Sequence, residues 1–430
     1  MKPVLKPLCA AVGAAGMLVG VSGGAWASGF QLMEQNASQL GNAYAGTAAA
    51  AEDASTIYFN PAGMSRLKGR DFAVSLNAIR PSSEFEDRGS SFTAGGTPVP
   101  GLPGVGPLTG SNGGDAGDWA LLPAIYYAHA IDNKWSLGIS VNAPFGLKTD
   151  YDAGFIGRFQ GLKSELETLA ITPTVSYKVN DQLALGVGVR AQRADATLTS
   201  ATSPLLPGAV NTLEGDDWGF GFSLGVLYQA TPSTRLGASY QSSIDYTLEG
   251  TLVSPGVPGG VIPVTADLEV PDIATVSVVH QLNPQWELLA DVAWTNWSKF
   301  RELRVVGPTG ATVSQVPQNW DDTWRFALGA NYRYNDKLKF RVGVAFDETP
   351  TSDEFRTVRI PDEDRIWLAF GVQYKVTPNG TLDIGYVHIF VDDPRINKTE
   401  TLGAGPTGTR VVGEVDADVN IIGVQYSHSF

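Results

Sequence analysis

The sequence is short of cysteine, of histidine, of positive charge and of long apolar runs, and each shortage removes a class of function. Its one cysteine, Cys9, falls within an amino-terminal stretch that reads as a secretory leader. Lys2 and Lys6 give that stretch a basic start, Leu8 to Val21 an apolar middle, and Ala25-Trp26-Ala27 a small-x-small cleavage site before Ser28. A mature chain starting at Ser28 has no thiol, which excludes disulfides, zinc–cysteine sites and redox chemistry. Cys9 also stands at the start of the apolar stretch rather than after it, which excludes a lipoprotein. The four histidines, His129, His280, His388 and His428, are far apart, without a serine motif or metal-ligand spacing, so no catalytic triad, metal or cofactor is expected. After the leader no run of about 18 apolar residues occurs, which excludes transmembrane helices. Losing Lys2 and Lys6 from 30 basic residues leaves 28 against 44 acidic ones, a net charge of −16. That balance argues against nucleic acid, whose phosphates select a basic surface.

What the chain has is glycine, aromatics and alternation. There are 49 glycines and 42 aromatic residues, and the mean hydropathy is close to zero. From about Arg70 onward, apolar residues recur at every second position. Leu183, Leu185, Val187 and Val189 share one face of a strand, opposite Ala184, Gly186, Gly188 and Arg190. Phe220, Phe222, Leu224, Val226 and Tyr228 repeat the pattern, as do Ile366, Leu368, Phe370, Val372 and Tyr374. Bulky on one face and small or polar on the other is what a barrel in lipid requires; a soluble sandwich produces the same alternation with the apolar face inward.

The turns separate these two. Turn-forming pairs occur at Asp132-Asn133, Asn180-Asp181, Thr231-Pro232, Asn283-Pro284, Asn335-Asp336 and Asn379-Gly380, with spacings of 48, 51, 52, 52 and 44 residues. Between successive turns lie two strand-like stretches joined by a longer polar segment, such as Ser200 to Gly215, Gly250 to Pro263 and Arg301 to Asn319. Short turns at one end and long loops at the other are the asymmetry of outer-membrane barrels. Six turns join twelve strands, and further strands near Asp71 to Arg80 and Val411 to Phe430 make fourteen. A propeller would need four strands per repeat, and two are present. Tyr126, Tyr127, Trp294, Trp297, Trp320 and Trp324 near strand ends suit interfacial girdles. The expected fold is therefore all-β: a 14-stranded antiparallel transmembrane β-barrel in a Gram-negative outer membrane, residues 70–430. The final strand, ending on Phe430, has the form of a signal to the barrel-assembly machinery.

Residues 28–69 do not read as strand. Small residues dominate up to Asn60-Pro61-Ala62-Gly63-Met64. Such a segment makes no core of its own but can fill a lumen. About eight strands fill themselves with side chains and roughly 16 to 18 leave a channel, so fourteen leave a hole to plug. An amino-terminal hatch, or plug, inside the barrel is expected.

At this point the sequence resembles a known family. Gly29-Phe30, Leu40-Gly41-Asn42-Ala43-Tyr44-Ala45-Gly46, Glu52-Asp53-Ala54-Ser55 and Asn60-Pro61-Ala62-Gly63 resemble the hatch of FadL-type long-chain fatty acid transporters. The likeness continues through Leu137 to Leu147, Trp218-Gly219-Phe220-Gly221-Phe222, Trp294-Thr295-Asn296-Trp297-Ser298 and Ile360 to Arg365, covering nearly the whole mature chain in order. The resemblance implies capture of a hydrophobic ligand from outside, an internal pocket, and lateral release through a kinked third strand. The matching gate is Asn142, Ala143, Pro144, Phe145 and Gly146. Pro144 removes a ladder donor there and Gly146 permits unusual dihedrals. The same stretch could be an ordinary bulge near a loop. Asn60, Pro61 and Ala62 match the hatch element near the gate, and are also a capped turn.

A fatty acid carboxylate needs a cation or a cluster of donors. Arg190 and Arg325 have lumen parity and lie at similar heights, 9 residues after Asp181 and 10 before Asn335. Arg193 matches a family arginine but has lipid-face parity. Phe145 is the apolar ligand contact. Asp321-Asp322 stand where the resemblance leads one to expect a lysine, which leaves an alternative open: a channel for aromatic hydrocarbons of the TodX type. Lipid and lipopolysaccharide around a monomer complete the expected partners; an outer-membrane enzyme or adhesin lacks any supporting motif.

Overall fold

A spanning strand in lipid has no water to satisfy its backbone, so each edge must find a partner until the sheet closes on itself. The computed structural model describes residues 28–94, 97–98, 106–202, 208–255, 259–401 and 407–430; the leader expected at residues 1–27 lies outside them. Fourteen antiparallel strands close into a barrel. They are Arg70–Asp87, Ala120–Ala130, Trp135–Asn142 resuming at Gly146–Asp150, Lys163–Lys178, Leu183–Ala201, Val210–Thr231, Thr234–Gln241 continuing as Ile244–Val253, Val261–Val270 continuing as Ile273–Gln281, Trp286–Thr295, Thr323–Arg333, Leu338–Asp347, Arg365–Thr377, Gly380–Val391 and Thr407–Ser429. Closure is made by the first strand on the fourteenth, in register from Asp71 opposite Ser429 to Asp87 opposite Gly413. All six turn pairs found in the sequence fall between consecutive strands, at the end where the first strand begins and the last one finishes.

The faces sort as the alternation requires. Val187 and Val189 are exposed on the outer wall while Ala184 and Arg190 are buried inside. Two expectations are corrected. Among the described residues, the polar segments between strands are partly strand themselves: the sixth strand has 22 residues and the fourteenth 23, against the roughly 9–11 that cross a membrane. Polar side chains do not prevent a backbone from pairing, because strand formation depends on neighbours more than on intrinsic preference. The aromatic girdle is the second. Tyr127 and Trp324 are exposed, but Tyr126, Trp297 and Trp320 are fully buried. Tyr126 and Tyr127 are adjacent and so face opposite sides, and the two tryptophans lie beyond the strand ends at Thr295 and Thr323, where the chain turns inward.

The interior is filled by residues 28–67, which carry four short helical turns, Leu40–Asn42, Thr47–Ala50, Thr56–Phe59 and Pro61–Arg66. Asn60 caps the last by accepting from the Ala62 amide at 3.0 Å, and Pro61 occupies the first turn, where its missing N–H costs nothing. Glycines on the wall let this segment approach: a Cβ on Gly225 would overlap Asn60 Oδ1, and one on Gly371 would stand 2.8 Å from Gly41 Cα.

An arginine on the lipid face near mid-strand costs about 2–4 kcal/mol. Val187→Arg is expected to lower barrel stability by that amount, read from urea unfolding in phospholipid vesicles, whereas Val187→Leu is expected to leave it unchanged.

Candidate ligand passage and lateral opening

The third strand stops at Asn142 and resumes at Gly146. Its partner, the fourth strand, stays paired on both sides of the break, with Asn142 opposite Ala170 and Gly146 opposite Glu167. Three residues, Ala143, Pro144 and Phe145, thus oppose two, Leu169 and Thr168, which makes a bulge. On its other side the third strand meets the second only from Ile125 opposite Val141 to Ala130 opposite Ser136. Among the described residues, Ala120 to Ala124 of the second strand have no partner on the third.

The lumen segment occupies this break. The Leu32 amide donates to the Pro144 carbonyl at 2.8 Å, and the Gly146 amide to the Phe30 carbonyl at 2.9 Å. Gln35 Nε2 donates to the Ala143 carbonyl at 2.8 Å, Asn142 Nδ2 to Gln35 Oε1 at 2.9 Å, and the Tyr126 hydroxyl to the Gln35 carbonyl at 2.6 Å. Thr168 satisfies Phe145 at both its amide and its carbonyl. A Cβ on Gly146 would stand 2.9 Å from Leu32 Cδ1, so the lumen segment packs closely against the resumed strand.

Phe145 is buried inside the barrel against an aromatic cluster. Its ring lies 6.1 Å from Phe30 and 6.3 Å from Trp297, and Phe30 contacts Trp297 at 4.6 Å and Phe300 at 5.6 Å. Trp320 packs on Trp297 at 5.0 Å. Edge-on contact at these distances is the arrangement aromatic rings prefer. Sequence reasoning placed Trp297 and Trp320 in the girdle and gave Phe30 no role; the signal available was the Gly29-Phe30 and Trp294 to Ser298 motifs, which had no place in the strand pattern.

The three arginines separate. Arg190 is buried and donates to Gln241 Oε1 at 2.7 Å and the Ser242 carbonyl at 2.6 Å. Arg325 is also buried, donating to the Ala43 carbonyl at 2.6 Å, 3.8 Å from Asp291 and stacked 4.9 Å over Trp367. Arg193 lies on the opposite face of its strand, paired with Asp195 at 2.8 Å and Asp216 at 3.2 Å. The Ile360 to Arg365 stretch anchors the start of the lumen segment: Asp362 pairs with Arg365 and accepts the Gly29 amide at 2.9 Å. Asn60 Nδ2 reaches the wall at the Val226 carbonyl, 2.9 Å away. Nearer the turns, Arg341 joins Glu52 of the lumen segment at 2.7 Å to Asp383 at 3.1 Å. No cluster of metal-ligating side chains occurs among the described residues.

With this geometry in view, the comparisons are decisive. Residues 18–430 match the family model for outer membrane protein transport proteins, OMPP1/FadL/TodX. The chain belongs to the OMPP1/FadL/TodX family. Among the family's characterised members, the long-chain fatty acid transport protein of Escherichia coli O6:H1 is 29% identical over 411 residues, covering 86% of this chain and 88% of the relative. The 47 kDa outer membrane protein of Pasteurella multocida is 32% identical over 411 residues, covering 87% and 90%. A Pseudomonas aeruginosa FadL homologue superposes with a TM-score of 0.84 at 27% identity, covering 94% of this chain and 100% of the other. The Ralstonia pickettii toluene transporter TbuX shares the fold, with a TM-score of 0.63 at 22% identity, covering 93% and 100%. This FadL-family barrel is thus an outer-membrane protein from a family of transporters.

One further group stands beside the opening. Glu34 is completely buried, and neither carboxylate oxygen has a hydrogen-bond partner among the described residues. Burial pushes its carboxyl up to about 7, with Arg325 and Arg365 pulling the other way. Because the folded-state value lies above 4.5, the folded protein binds the extra proton between pH 4.5 and about 7. Stability relative to Glu34→Gln is expected to be greatest below that window, to decline as pH rises through it, and to level off above it. Thermal unfolding of both proteins across the window checks this; parallel curves would refute it.

Proposed function

We propose that this protein carries long-chain fatty acids across the outer membrane, holding the acyl chain among Phe30, Phe145 and Trp297 and releasing it sideways between the second and third strands. The observation that supports this reading best is that the stretch Ala120 to Ala124, paired with the first strand, has no partner on the third among the described residues, next to the break at Ala143 to Phe145 and the aromatic cluster that Phe145 joins. Returning a sixteen-carbon tail to water costs roughly 10 kcal/mol, at about 0.8 kcal/mol per CH₂. A lateral exit into the apolar layer avoids that cost; an aqueous pore does not.

In this reading residues 1–27 are the leader, 28–69 the hatch and 70–430 the barrel. Asn60, Pro61 and Ala62 seat the hatch on the wall, and Asn142 to Gly146 form the gate. Arg190 and Arg325 are the buried candidate cations; Arg193, turned to the opposite face and held by two carboxylates, is left out of ligand binding. The protein works as a monomer in lipid and lipopolysaccharide, inserted by the barrel-assembly machinery through its final strand, and performs transport without catalysis.

A second reading, passage of aromatic hydrocarbons, is favoured by one observation: Arg190 and Arg325 already donate to protein acceptors. Competition of labelled oleate against toluene on purified protein separates the two. Saturable oleate binding that toluene does not displace supports fatty acids; toluene binding without oleate binding moves the assignment to hydrocarbons.

Removing one residue from the bulge tests the lateral route. Deleting Pro144 leaves two residues opposite two, restoring the ladder and keeping Leu147 and Thr149 on the inner face, opposite Leu166 and Ser164. Oleate uptake by cells is expected to fall to background while oleate binding by the purified protein persists. Unchanged uptake would refute lateral release.

A further inference from the structure

Beside the aromatic cluster the wall carries a polar corner that apolar packing leaves unexplained. Arg190 and Gln192 of the fifth strand point inward, and their partners across the ladder on the sixth strand are Gly221 and Gly219. Neither glycine has a side chain to fill the wall, so the inward residues of the seventh strand lean across it. A Cβ on Gly219 would overlap Ile244 Cγ2 and stand 2.9 Å from Tyr246 Cε1; one on Gly221 would stand 2.8 Å from Ser242 Oγ. The glycines of Trp218-Gly219-Phe220-Gly221-Phe222 thus bring side chains from the fifth and seventh strands together over a bare strand.

Three buried polar groups with no partner outside their own corner meet there. Gln192 is fully buried, and among the described residues neither its amide oxygen nor its amide nitrogen has a hydrogen-bond partner. Tyr246 is 2% exposed and its hydroxyl is likewise unpaired. The Gln192 amide and that hydroxyl face each other closely enough to interact, and neither has any other partner among the described residues. Arg190 spends its terminal nitrogens on Gln241 and Ser242, and its Nε is left without a partner. Buried donors and acceptors are nearly always paired, since leaving them unpaired forfeits their hydration. Here they border apolar surface: the Tyr246 ring belongs to the same buried cluster as Phe30, Phe145 and Trp297.

We propose that Gln192 and Tyr246, with Arg190 Nε, form the recognition point for the carboxylate of the ligand. The inference rests on the fatty acid reading above and specifies its headgroup site. The Tyr246 hydroxyl, the Gln192 amide N–H and the Arg190 Nε–H each donate to carboxylate oxygens, while the tail follows the aromatic cluster toward Phe145. Selection against hydrocarbons then arises from polar groups that a hydrocarbon would leave unpaired, as in other sites built to bond a polar substrate group. Arg190 adds its charge to this site, because both of its acceptors, the Gln241 amide oxygen and the Ser242 carbonyl, are neutral.

The test compares oleate with 1-octadecene, the same length of chain without the carboxylate, on purified full-length protein, using the fluorescence of the buried tryptophans as the signal. Tyr246→Phe and Gln192→Leu keep the ring and the volume. Each is expected to weaken oleate about 10-fold, the order of one hydrogen bond to a charged group, and to leave octadecene within about 2-fold. Gln192→Glu is expected to weaken oleate further and to admit oleylamine. Parallel loss of both ligands, or no change in their ratio, overturns the inference and assigns these residues to packing. If wild-type protein binds octadecene but not oleate, the fatty acid reading falls with it; if wild type binds oleate and all three variants keep its preference, the headgroup site falls alone.

Discussion

In hydrocarbon an unpaired N–H or C=O has no water to turn to, and a spanning sheet therefore has to complete its ladders. The departure from that requirement between the second and third strands governs much of the rest of this molecule. The backbone freed at Ala143 to Gly146 is met by Phe30, Leu32, Gln35 and Thr168. Residues 30–35 are consequently part of the wall as well as part of the filling. Moving them leaves those groups unpaired at about 1–3 kcal/mol each, so opening is opposed until something else in the passage compensates.

The remaining contacts divide the lumen by height. Near the turns the filling is held through charge and polar bonds, with Glu52, Arg341 and Asp383 joined and Asp291 accepting from Thr47 at 3.0 Å. Near the loops it is held by rings: Phe30, Trp297, Phe300 and Trp320 touch one another with few polar bonds between them. The apolar contacts of the filling thus lie toward the loops and its polar latches toward the turns. The break in the third strand lies at the boundary, where Phe145 faces the rings and Ala143 faces Gln35.

Much of the barrel was legible because lipid imposes a two-residue period on every strand and short turns demand particular residues. Leu185, Val187 and Val189 could be assigned outward, and Asn180-Asp181 assigned to a turn, from local chemistry alone. Tyr126, Trp297 and Trp320 were misread as girdle residues because their type suits an interface, whereas their direction depends on where each strand ends. Parts of the polar stretches read as loops, such as Val210 to Gly215 and Glu302 to Val306, are strand because pairing with a neighbour, rather than composition, forms them.

Sequence by itself determined the closed antiparallel barrel, the inward parity of Arg190 and Arg325, and the irregularity at Pro144, since each follows from residue type and spacing along one chain. Tertiary structure decided what fills the irregularity, which arginines keep free donors, and that Gln192, Tyr246 and Phe30 share one corner of the lumen. Those contacts join residues far apart in the chain across bare glycines, and no local period encodes them.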